Sequence, residues 1–122
     1  MTTGDGAGQV RTAEPPSEFD LYELVLLIRP ESRPELDHDE AERLQSQHLG
    51  HLAAMRESGK LKVAGPLADQ PDDSWRGVCL YQVGTLAEAR RLAELDPAVR
   101  AGAMSVQVMS WYTTKGAMCF PE

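Results

Sequence analysis

Cysteines, aromatic residues and positive charge are all scarce in this chain of 122 residues, and each shortage removes a class of protein. Its two cysteines, Cys79 and Cys119, make a poor disulfide framework and lack the spacing of a zinc knuckle. Both are expected to be reduced thiols, Cys79 serving as a small hydrophobe in an apolar, strand-like run. Lys and Arg number 12 against 19 Asp and Glu, and the resulting formal charge of −7 repels nucleic-acid phosphates and anionic lipid surfaces alike. No apolar run approaches the ~18 residues of a membrane span. The first residues lack the basic start and apolar stretch of a secretory signal, so the cytoplasm is the expected location. A Gly-rich phosphate loop and a dinucleotide fingerprint are both missing, as is an HExxH pair, so the expectation is no organic cofactor and no metal.

What is present reads as one small domain. Residues 1–18 are rich in Gly, Thr, Pro and acidic side chains and too poor in large apolar ones to repay the entropy of ordering, which predicts a disordered N-terminal tail ahead of a domain over 19–122. Leu21 to Ile28 is a short apolar run closed by Arg29-Pro30, the pattern of a buried strand. Asp37 with Glu40 three residues on is a capping box, and Ala41, Leu44, His48, Leu52 and Met55 recur at helical spacing until Gly59. Leu61 to Ala64, ending in a Gly65-Pro66 turn, and Val78 to Val83 are expected to pair as a hairpin. Thr85 and Glu88 repeat the capping pattern; Leu86, Ala89, Leu92, Ala93 and Leu95 supply an apolar face, and Asp96-Pro97 ends the second helix. Met104 to Tyr112 alternates as a last strand, leaving Thr113 to Phe120 as a tail or an extra edge strand. The order β-α-β-β-α-β predicts a ferredoxin-like α+β fold, an antiparallel sheet with both helices on one face. Its other face needs a cover, and a chain this short gains from pairing with a second copy.

Two blocks of residues then resemble a known family. His48-Leu49, Leu52, Gly59, Leu61 and Ala64-Gly65-Pro66 match, without a gap, the H-L-x-x-L-x-x-x-x-x-x-G-x-L-x-x-A-G-P pattern of the YciI-like (YCII-related) family. Thr85, Glu88, Ala89, Leu92, Asp96, Pro97 and Gly102 are similar to its second-helix motif. The resemblance implies a dimeric α+β barrel, with two sheets face to face and a cleft in each monomer between sheet and helices. It also implies a His/Asp pair at the active site, by position His48 and Asp96, and small cyclic metabolites as substrates of the few members with known lyase or dehydrohalogenase reactions.

By their own chemistry these residues admit two readings. His48, on the apolar stripe, points inward and is either a hydrogen-bonded core residue or a catalytic base. Asp96, at the end of the second helix, either bonds a nearby backbone N–H or orients the His48 ring; an acid there is disfavoured by the helix dipole, so its position needs a reason. His51, three residues after His48, is read as the margin of the stripe, because no third ligand accompanies it for a metal site. Gly65 and Pro66 are expected to edge a substrate cleft, and Arg29, just past the first strand, to reach an anionic substrate. Trp75, Trp111 and Tyr112 are expected in core or dimer packing, since a nucleic-acid platform would carry basic neighbours. The functional expectation is a small-metabolite enzyme working by general acid/base chemistry, of lyase, isomerase or dehydrohalogenase type, as a cytoplasmic homodimer. Two rivals stand beside it: a non-catalytic small-molecule-binding or accessory module, and a cofactor-free monooxygenase.

Overall fold

The computed structural model describes residues 18–121; apart from Glu18, the tail expected over 1–18 lies outside them. The chain runs through β1 (Phe19–Ile28), α1 (His38–Glu57), β2 (Leu61–Pro66), β3 (Trp75–Tyr81), α2 (Leu86–Ala93), a one-turn α3 (Pro97–Arg100) and β4 (Ser105–Thr114). The four strands form one antiparallel sheet in the order β2-β3-β1-β4, and the fold is the expected ferredoxin-like α+β arrangement.

Alternation along the strands decides which face carries the core. Val25 and Leu27 of β1 stand opposite Cys79 and Gly77 of β3 and opposite Val108 and Val106 of β4, so these side chains share a face. Ala89, Leu92 and Ala93 of α2 pack onto that face with Leu61, Cys79 and Tyr81, while Leu52 and Met55 of α1 close it from the side. Burying a side chain such as Leu61 or Leu92 stabilises the fold by roughly 1.5–3 kcal/mol.

Local chemistry sets the helix ends. Asp37 accepts from Glu40 N–H at 2.8 Å while Asp37 N–H donates back to the Glu40 carboxylate at 3.2 Å, completing the capping box of α1. Gly59 ends the segment at φ 84°, a left-handed conformation that costs glycine nothing. At α2 only half of the reciprocal pattern forms: Thr85 caps Glu88 N–H at 3.1 Å, but the Glu88 carboxylate turns to Arg91 instead. Glu23, buried on the core face, holds the turn before α2 by accepting from Val83 N–H and Gly84 N–H at 2.8 and 3.3 Å. Burial pushes its carboxyl pKa up.

Two expectations need correction. Gly65 and Pro66 do not form a turn after β2; they are its last two residues, paired with Val78 and Gly77, and Pro66 is tolerated because β2 is an edge strand. Ala41 is exposed, so the buried stripe of α1 begins later, at Leu44. Of the two places expected for the tryptophans, core or dimer packing, the core is removed: Trp75 and Trp111 are exposed at 36% and 44%. Trp111 shares the outer sheet face with Leu24, Leu26, Val63 and Met109, whereas Tyr112 packs against Phe19 with ring centroids 6.2 Å apart. Among the described residues beyond β4 there is no extra edge strand. Gly116 N–H donates to Asp20 at 2.8 Å, and the segment returns until Phe120 sits edge-on to Tyr22 on the outer face.

Candidate active site

The first contribution comes from α1. Its 20 residues place His48 on the side facing the sheet, and His48 is the one buried residue of that helix, at 6% exposure. The second comes from the joint between α2 and α3. Here the expected reason for Asp96 is corrected: α2 ends at Ala93, and Asp96 is the N-cap of α3, with Pro97 at the first helical position. An acid at a helix N-terminus is favoured by the dipole, which removes the conflict the sequence posed.

The two carboxylate oxygens of Asp96 divide the work. Oδ1 accepts from Ala98 N–H at 2.9 Å and Oδ2 faces His48 Nδ1 at 2.5 Å. Both side chains are almost fully withdrawn from water, at 8% and 3% exposure. An ionised carboxylate can only accept, so facing one a neutral imidazole would carry its proton on Nδ1 and keep the lone pair on Nε2.

His48 lines a cleft of about 390 Å³ between α1 and the ends of β1, β2 and β3. Leu27, Leu52, Cys79 and Met104 give it an apolar lining, and Gly65, Pro66 and Arg29 also border it. Four of the five site residues picked from the sequence therefore meet in one concavity, and the fifth, Asp96, stands behind the first. Such a volume lies at the small end of ligand pockets.

Buried neighbours respond to the site's charge. The Cys79 thiol is pushed up to about 12 by burial and, secondarily, by Asp96, so it contributes a neutral wall and no nucleophile. Burial, with Cys79 and Asp96 behind it, raises the Tyr81 hydroxyl as well. His51 is half-buried and its pKa is lowered, chiefly by desolvation, with Asp96 opposing and His48 adding to the effect. The cluster of potential metal ligands among the described residues, His38, Asp39 and Glu42, is wholly exposed at the start of α1 and includes neither His48 nor His51.

Sequence reasoning missed Arg76 and Gln45, which also line the cleft. Arg76 escaped because its direction depends on a strand irregularity. Leu27 pairs with Gly77 and Ile28 with Trp75, so Arg76 is the extra residue of a β-bulge, a feature that re-aims a side chain and leaves no trace in the pattern of one strand.

A four-stranded antiparallel sheet with helices on one face, a small cleft and a buried His/Asp pair behind it define a ferredoxin-like α+β domain. A sequence model of the YCII-related domain matches residues 23–112, most of the chain, and the protein belongs to that family. No curated protein matches it. Among solved structures, the chain is similar to 5-chloro-2-hydroxyhydroquinone dehydrochlorinase from Burkholderia phenoliruptrix AC1100, solved in complex with 2,5-dihydroxybenzoquinone. The TM-score is 0.50 at 23% identity over 75% of this chain and 93% of that one, a likeness of fold.

Proposed function

We propose that this protein is a small-metabolite enzyme whose His48/Asp96 pair performs general acid/base chemistry without an organic cofactor. The observation that supports it is the placement of His48: one ring nitrogen held by a buried carboxylate at 2.5 Å, the ring itself in the wall of a cleft of about 390 Å³. Asp96 fixes the tautomer and the orientation of the ring, and Nε2 then takes a proton from a C–H or O–H of the bound substrate. The released electron pair forms a double bond and either expels a leaving group on the adjacent carbon or moves the unsaturation, with the proton returned from Nε2 to a second carbon. Elimination, dehydrohalogenation and isomerisation all fall within that scheme, and the activity named for the structural neighbour is a dehydrohalogenation. Gly65 and Pro66 shape the cleft edge through backbone, with no bond-making duty.

Assembly belongs to the same reading. Val63, Met109 and Trp111 leave large apolar area exposed on the outer sheet face, at 49%, 38% and 44%, and a second copy packed there through the same face buries it. Sedimentation should give a dimer, and Trp111→Glu should shift it to monomer. The two unpaired thiols suit a reducing compartment, the cytoplasm.

The decisive experiment is a metabolite-library screen of wild type against His48→Ala, read by mass spectrometry. Conversion by wild type alone supports the acid/base reading. Binding without conversion by either protein replaces it with a non-catalytic module. A monooxygenase for polycyclic aromatics is less well supported, since no Phe, Trp or Tyr is among the described residues that line the cleft.

A further inference from the structure

Although the chain carries a formal charge of −7, not one acidic residue is among the described residues lining the cleft, and two arginines are. Arg29 leaves the end of β1, where its N–H bonds Ser74 O at 2.8 Å, and its half-exposed guanidinium is at the rim. Arg76 is the bulge residue of β3, anchored by its carbonyl, which accepts from Leu67 N–H at 3.0 Å. The bulge turns toward the cleft a side chain that regular alternation would send elsewhere. Both guanidinium groups converge on Asp73: Arg29 Nη2 lies 3.4 Å from its Oδ2, and Arg76 Nη1 donates to its carbonyl at 3.1 Å. The Asp73 side chain is 89% exposed, so its hold on Arg29 is a weak, water-screened pair that a ligand can displace.

We infer that Arg29 and Arg76 form an oxyanion-holding subsite at the rim of the cleft, and that the substrate placed against His48 carries a carboxylate or phosphate group. The inference rests on the cleft being the substrate site, as proposed above. Planar guanidinium forks match either group in two-point fashion, and two of them oppose the repulsion a net-negative protein exerts on an anion. Anchoring at the rim also leaves the uncharged part of the substrate against Leu27, Leu52 and Met104, next to the imidazole.

Isothermal titration with benzoate, neutral benzamide and inorganic phosphate tests it on the full chain. Benzoate or phosphate should bind roughly tenfold or more tightly than benzamide, and Arg76→Gln and Arg29→Gln should each remove about that factor. Arg43→Gln, on the exposed face of α1, should leave binding unchanged, and Asp73→Asn should strengthen it. Preference for benzoate identifies a carboxylate and preference for phosphate a phosphate ester; either supports the subsite. Equal binding of benzoate and benzamide, no binding of any probe, or losses no larger than for Arg43→Gln overturn it. His48→Ala should retain anion binding, which separates the two readings. A failed metabolite screen with arginine-dependent titrations removes the chemistry and keeps the subsite. Turnover that needs His48 but ignores Arg76→Gln on neutral substrates does the reverse.

Discussion

His48 Nδ1 lies 2.5 Å from Asp96 Oδ2, a bond between residues 48 positions apart that ties the middle of α1 to the cap of α3. The same carboxylate therefore caps α3 through Ala98 N–H and, in the proposed function, serves chemistry through the imidazole. Substitutions at 96 separate the two duties. Asp96→Asn retains an oxygen for Ala98 N–H but presents an NH2 group to His48, which forces the ring proton onto Nε2 and abolishes the base. Turnover should fall by about 10²–10⁴ with the urea midpoint little changed. Asp96→Ala removes the cap as well and should cost about 1–3 kcal/mol in urea unfolding.

His51 makes a pH prediction. Its folded pKa lies below the ordinary 6.5, mainly because burial disfavours the charged ring. Below pH 6.5 the unfolded chain takes up a proton that the native state refuses, so stability falls as the pH drops from 6.5 toward the lowered native value and is recovered above 6.5. In thermal melts across that window, His51→Gln should show a shallower dependence than wild type. Parallel curves for the two proteins would remove His51 from the account.

Gly77 sits at a close approach between strands. A Cβ there would stand 3.0 Å from Gly65 O and 3.6 Å from the Leu27 Cδ1 methyl, and the first of these is backbone that cannot rotate away. Gly77→Ala should destabilise the domain by about 1–3 kcal/mol and perturb the Gly65-Pro66 edge of the cleft. Gly65→Ala, whose Cβ would meet nothing within 4 Å, is the matched control and should stay closer to wild type.

Thiol labelling should distinguish the two cysteines. With its pKa at about 12, Cys79 is essentially all thiol at pH 8 and is buried, while Cys119 is exposed. Iodoacetamide should modify Cys119 in the native protein and reach Cys79 only after unfolding, as read by intact mass. Rapid native labelling of Cys79 would contradict the neutral wall described for the cleft.

The order of the four strands and the two longer helices, the first capping box, the Gly59 stop and the family were legible in the chain, because each depends on residues close together in sequence, whereas the one-turn α3 was not read. His48 was legible as an inward-facing ring for the same reason: its position on an apolar stripe is a local periodicity. What periodicity could not give was what Asp96 caps, since both a helix end and a helix start suit an acid followed by proline. Only the break in backbone bonding after Ala93 decides between them. Likewise Arg76 reaches the cleft through a register shift between β1 and β3, and the Gly65-Pro66 pair extends a strand because β3 runs alongside it. Local sequence determined the elements and their faces; pairing between distant strands determined where the charged side chains point, since register is a property of two segments together.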